Sequence, residues 1–218
     1  MDVRICFFGD SITNGYGNPQ FRGWPSYLCE LIRTPEIDVT PYNLGIRGDT
    51  SAMVRNRWAN EAKSRMPPHK AAKMILVFSY GINDSARLDG EYRIEPEQTI
   101  KNTQLILTAA KEWLPTIFVG PTPINESKAI PQFFPGKKLE IFNKNIADLD
   151  SQLVQLCTNM KIPYIQLFKN LSIDTSWKRS FRDEDAIHPT SAGQLAIASL
   201  VRTASPLRNI IYSLETLN

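Results

Sequence analysis

At 218 residues the chain is long enough for one sizeable α/β domain and not clearly for two, so residues 1–218 are read as a single domain. Its 42% hydrophobic and 22% charged residues describe an ordinary soluble globular protein. A net charge of +3 lacks the clustered basic excess that nucleic acid or an acidic membrane surface would call for, and no stretch approaches the length of a transmembrane helix.

The first residues, Met1-Asp2-Val3-Arg4, carry an acid, and the apolar run behind them is too short for a secretory signal, so a cytoplasmic location is expected. Cys6, Cys29 and Cys157 are odd in number and match no metal-site spacing. They read as small buried apolar residues in a reducing compartment.

Val3 to Phe8 reads as a buried strand and ends in the turn Gly9-Asp10-Ser11-Ile12-Thr13-Asn14-Gly15. Trp24 to Arg33 has helical periodicity and stops before Pro35. Ile37 to Leu44 is a second strand, and Thr50 to Arg65 a helix capped by Asp49 or Thr50. Ala72 to Tyr80 is a near-continuous apolar run that suits a central strand buried on both faces. Glu95 to Trp113 is a helix with Pro96 in its first turn. Thr116 to Gly120 is a fourth strand, Asn125 to Lys138 an irregular loop, and Leu139 to Met160 a long helix. Pro163 to Phe168 is a fifth strand, followed by an irregular stretch from Lys169 to His188. Helices over Ser191 to Thr203 and Leu207 to Leu217 complete the chain. Alternating strands and helices predict an α/β fold, a parallel sheet with helices on both faces.

In a parallel sheet the C-terminal ends of the strands share one edge, where ligands bind. Ser11, in a Gly-flanked turn at such an end, is either a nucleophile or merely the cap of the next helix. A serine nucleophile needs a base, and the chain has two histidines. His69 precedes a strand, at the wrong end of the sheet. His188 lies three residues after Asp185, which is placed to fix one imidazole nitrogen and leave the other free for the serine's proton. Asp185 and His188 also read as caps of the helix that follows. Gly45, where a bare backbone admits a ligand, and the Asn83 amide are candidate donors to an oxyanion, beside the N–H of Ser11 or of the next residue. Gly48-Asp49-Thr50 echoes the first motif but reads as a helix cap, and Gly15-Tyr16-Gly17 lacks the rest of a phosphate loop.

Taken as a set, Gly9-Asp10-Ser11-Ile12-Thr13, Asn43-Leu44-Gly45, Gly81-Ile82-Asn83-Asp84 and Asp185-Ala186-Ile187-His188-Pro189 resemble the four ordered blocks of the SGNH hydrolases, the GDSL esterases and lipases. The first block is an Ile-Thr variant of the eponymous Gly-Asp-Ser-Leu. The resemblance spans nearly the whole chain. It implies a three-layer α/β/α sandwich on a five-stranded parallel sheet of flavodoxin-like order. It also implies Ser11 as nucleophile, His188 as base, Asp185 as orienter, and Ser11, Gly45 and Asn83 as oxyanion donors, with no metal and no cofactor. The expected substrate is a small carboxylic ester, of short acyl chains first, with acetylated sugars, lysophospholipids and thioesters also in view. Neither nucleic acid nor a stable membrane association is expected.

Asp10, Arg47, Tyr80, Phe133 and Phe134 are candidate lining residues. The two phenylalanines would form a lid over an acyl chain or else pack onto the body. Arg47 and Arg87 would meet a polar or anionic leaving group or else be solvated. Two other classes compete: a silent SGNH-like module that binds carbohydrate or protein, and a flavodoxin-like nucleotide or FMN protein.

Overall fold

A computed structural model describes residues 1–68, 72–128, 132–133, 136–183 and 185–212. The elements in chain order are β1 (Asp2–Gly9), α1 (Ser11–Asn14), α2 (Trp24–Ile32), β2 (Asp38–Gly45), α3 (Ser51–Arg65) and β3 (Ala72–Ser79). Next come α4 (Ile82–Ser85), β4 (Arg87–Leu88), β5 (Glu91–Tyr92), α5 (Pro96–Trp113) and β6 (Thr116–Val119). A 3₁₀ turn (Glu126–Lys128) leads to β7 (Gln132–Phe133), β8 (Lys138–Glu140), α6 (Asn143–Met160) and β9 (Tyr164–Ile165). The last elements are α7 (Leu167–Ser172), α8 (Thr175–Arg179), α9 (Ser191–Thr203) and α10 (Ser205–Tyr212).

The main sheet is parallel and runs β2-β1-β3-β6-β9, the flavodoxin-like order, with β3 at its centre. Strand alternation decides the two cores. Val3, Ile5 and Phe7 of β1 join Ile75 and Val77 of β3 against α2 and α9. Cys6 and Phe8 join Leu76, Phe78 and Tyr80 against α3, α5 and α6. The helices therefore cover both faces, a three-layer α/β/α sandwich. All three cysteines are buried and free, and burial pushes each thiol up to about 12.

Several segments depart from the sequence-based expectation. Asn125 to Lys138 is not wholly irregular: β7 pairs with β8, β8 with β4, and β4 with β5, in a small antiparallel sheet. That pairing takes Leu139 into β8, so the helix expected from Leu139 begins at Asn143. The Asn143 side chain grips both the N–H and the carbonyl of Ile124. The fifth strand shrinks to two residues because, at the sheet edge, it pairs only Tyr164 and Ile165 with Phe118 and Val119. The chain then turns straight into α7, and α7 and α8 take up the first part of the stretch expected to be irregular. His69, Phe134 and the end of the predicted tail beyond Tyr212 lie outside the described residues.

Among the described residues no helix is long and apolar enough to cross a membrane.

Candidate active site

Ser11 follows directly on the strand end. Asp10 leaves the strand in extended conformation and caps α1, its carboxylate accepting the Ile12 N–H at 2.9 Å. This makes Ser11 the first residue of a one-turn helix at the C-terminal edge of the sheet, 7% exposed. The loop carrying the other two residues is fixed from both sides. Thr190 N–H donates to the Ser180 carbonyl at 2.7 Å, and Asn125 N–H to the Ala186 carbonyl at 2.8 Å.

Within that loop the Asp185 carboxylate accepts the backbone N–H groups of Ile187 and His188, each at 2.9 Å. The same carboxylate lies 2.9 Å from His188 Nδ1, and His188 Nε2 lies 2.8 Å from Ser11 Oγ. Burial alone would raise the Asp185 carboxyl. The His188 ring and the two backbone donors outweigh it and hold the group at about 2, so it is ionised at neutral pH. An ionised carboxylate on Nδ1 leaves Nε2 as the nitrogen that can accept the hydroxyl proton.

Two neighbours hold the imidazole that sequence reasoning passed over. The Tyr16 ring meets it edge-on, 4.7 Å between centroids. Gly17, at φ +86°, comes so close that a Cβ there would lie 2.8 Å from His188 Cβ. Glycine is needed at this position for both reasons.

A cavity of about 340 Å³ opens beside Ser11 and His188. Ile82, Leu139, Ile141 and Ile187 supply its apolar wall. Gly48, Asn83, Arg47 and Arg93 supply the polar one. Asn83 gives one amide proton to the Asp49 carbonyl at 3.0 Å, which leaves the second for the cavity. Its Oδ1 accepts from Arg93 Nη1 at 3.1 Å, and Arg93 Nη2 donates to the Gly48 carbonyl at 2.7 Å. One guanidinium thus ties together Asn83 and Gly48. Among the described residues, the N–H groups of Ser11 and Gly48 make no hydrogen bond.

The structure departs from the expected set at several positions. Gly45 N–H is donated to Asn43 Oδ1 at 3.1 Å, and it is Gly48, three residues on, that lines the cavity. The N–H after Ser11 is likewise spent on Asp10. Tyr80 is 1% exposed, packed on Phe118 with its hydroxyl on Thr103, so it lines no cavity. Asp10 is 3% exposed, and burial, reinforced by Asp84 and Asp49, pushes it up to about 7; it is a cap and not a lining residue. Phe133 lies in β7. Arg87 stacks on Tyr92 in its own hairpin. Arg47 does line the cavity.

A larger space of about 490 Å³ lies between α2, α9 and α10, but among the described residues no serine, histidine or carboxylate lines it. Among the described residues no group of three or more His, Cys, Asp or Glu side chains could hold a metal ion.

Residues 7–196 match the GDSL-like lipase/acylhydrolase family model. Of solved structures, the lipase/acylhydrolase from Enterococcus faecalis is 19% identical, the match covering 94% of this chain and 96% of that one, with a TM-score of 0.70. The acetyl xylan esterase AlAXEase is 18% identical, over 93% of this chain and 99% of its own, at 0.67. Axe2, an acetylxylan esterase from Geobacillus stearothermophilus, is 16% identical over 95% and 93%, at 0.66. At these identities the likeness is one of fold. No curated protein is significantly similar in sequence.

Proposed function

The chain belongs to the GDSL-like lipase/acylhydrolase family and is a hydrolase, and from that premise we propose that it is a serine esterase acting on short-chain carboxylic esters through an acyl-enzyme on Ser11. The observation that carries the reading is the unbroken line from Ser11 Oγ through His188 to Asp185, at 2.8 and 2.9 Å, with Ser11 and His188 lining one cavity.

His188 Nε2 takes the Ser11 proton as Oγ bonds to the ester carbonyl carbon. The carbonyl electron pair becomes an oxyanion, held by the N–H groups of Ser11 and Gly48 and by the free amide proton of Asn83. As the oxyanion collapses, the bond to the alcohol oxygen breaks and that oxygen takes the proton from His188. Water then gives its proton to His188 and its oxygen to the acyl carbon. The Ser11 ester bond breaks, and the proton returns to Oγ as the acid leaves.

A cavity of about 340 Å³ is at the small end of ligand sites and favours short acyl groups. Fold-level likeness to two acetyl xylan esterases is in keeping with acetyl transfer to water.

The test is intact-mass analysis after exposure to a fluorophosphonate. Wild type should gain one adduct, mapped to Ser11, and Ser11→Ala and His188→Ala none. Ser11→Ala should also lose at least ~10³-fold in kcat. Folded wild type that takes no label, or an alanine variant with near-normal turnover, would remove Ser11 from the mechanism.

A further inference from the structure

Arg47 sits at the cavity rim in an arrangement that esterolysis alone does not require. Its guanidinium carbon lies over the Tyr16 ring, 3.4 Å from the centroid, and Tyr16 in turn meets the His188 imidazole edge-on. One aromatic ring therefore separates a permanent cation from the base. Among the described residues Arg47 makes no hydrogen bond and no ion pair, in contrast to Arg22, Arg57 and Arg93, each of which donates to an oxygen acceptor. It is exposed, so its fork of N–H donors faces open solvent at the mouth of the cavity. Among the described residues no carboxylate lines that cavity.

The geometry also fixes which half of an ester Arg47 would meet. The alcohol oxygen must take its proton from His188 Nε2, so the alcohol half rests on the imidazole side. The oxyanion is held at Gly48 and Asn83. Tyr16 packs edge-on against the imidazole and carries Arg47, so the guanidinium lies one ring away from the base that protonates the alcohol. A stacked guanidinium is pre-oriented, so less freedom is lost when it pairs with an oxyanion.

We propose that Arg47 on Tyr16 is an anion-binding subsite for the leaving group, and that the preferred substrates are short acyl esters whose alcohol carries an oxyanion such as a carboxylate about one ring's width from the scissile bond. This rests on the reading of Ser11 as nucleophile and His188 as base. The reaction is unchanged; the anion stays on the departing alcohol.

The experiment uses two esters of one shape, 4-acetoxybenzoate, whose leaving group is anionic, and its neutral methyl ester. The quantity read is the ratio of their kcat/KM values in wild type, Arg47→Gln and Arg47→Lys. The intrinsic reactivity difference between the esters cancels between enzymes. The anionic-to-neutral ratio should fall about 10-fold in Arg47→Gln, the size of one charge-assisted contact at a partly wet site, with the change in KM. Arg47→Lys should keep part of it, and added salt should draw the wild-type ratio toward that of Arg47→Gln. An unchanged ratio in Arg47→Gln overturns the subsite, while the esterase reading stands if Ser11→Ala has lost both activities. Wild type that hydrolyses neither ester and takes no fluorophosphonate label overturns both.

Discussion

The hydroxyl of Ser11 is placed by the residue before it. Asp10 caps α1 with its carboxylate, and that cap, on the end of β1, aims the first helical side chain at His188. The capping carboxyl is buried beside Asp84 and Asp49 and titrates from 3.8 up to about 7 in the folded protein. A group held up in this way supports the fold while protonated, and its contribution fades as pH rises from 3.8 toward 7. Asp10→Asn keeps an acceptor for Ile12 and loses the titration. Its melting temperature relative to wild type should therefore rise between pH 5 and pH 8, by a few °C, in paired thermal melts. A constant difference would show that Asp10 does not titrate there. Asp185 behaves oppositely: held at about 2, it contributes fully above 3.8 and loses that contribution only as pH falls below. Arg93 touches none of the reacting atoms in the proposed mechanism and acts through Asn83 and Gly48. Arg93→Gln should lower kcat by roughly 10²-fold with a smaller change in KM, since the oxyanion donors it steadies matter most at the transition state. A pure KM effect would make it a structural residue only.

At the scale of elements, the edge where β1 meets α1 tolerates no added atoms. A Cβ on Gly9 would lie 2.2 Å from both the Ser79 carbonyl and Thr13 Oγ1. Gly9→Ala should cost about 1–3 kcal/mol in urea unfolding and displace Ser11 as well. Gly90, in the β4–β5 turn, has open space around it, which makes Gly90→Ala the control for space, though its positive φ still carries strain. The small antiparallel sheet has a different task. It brings Leu139, with Ile141 just beyond it, to the apolar wall of the cavity. Leu139→Ala should enlarge that wall and shift the preferred acyl group from acetyl toward butanoyl or hexanoyl in a series of 4-nitrophenyl esters. An unaltered chain-length profile would mean that the acyl group lies elsewhere.

Across the molecule the site is assembled from residues 177 positions apart, Ser11 and His188. Arg57 spans the strand ends that carry it. Its guanidinium donates to the Leu44 carbonyl at 2.7 Å and the Gly9 carbonyl at 3.3 Å, while Nε pairs with Asp49 at 2.7 Å. The side chains of Arg57 and Asp49 are only 15% and 7% exposed. Removing the arginine would strand a buried carboxylate, so Arg57→Ala should lose about 3–5 kcal/mol by denaturant unfolding, beyond what an exposed ion pair could account for.

The sequence by itself determined the parallel α/β architecture, because short apolar runs that read as buried strands alternate with helical segments along the whole chain. It also determined the four ordered blocks, because strand-end turns use a small set of residues whose order can be read directly. It could not tell Gly45 from Gly48. Both follow β2, and only the folded Asn43 side chain, reaching round to occupy the Gly45 N–H, decides which backbone donor stays free. Tyr80 looked like a lining residue because it ends a strand at the ligand edge, but strand alternation turned it into the core with Cys6 and Phe8. The strands β4, β5, β7 and β8 are two or three residues each, too short for a periodic signal, and exist only because distant segments pair. Arg93, Arg57, Tyr16 and Gly17 carry no motif. Their places follow from contacts between loops that the sheet edge brings together, and tertiary structure alone decided them.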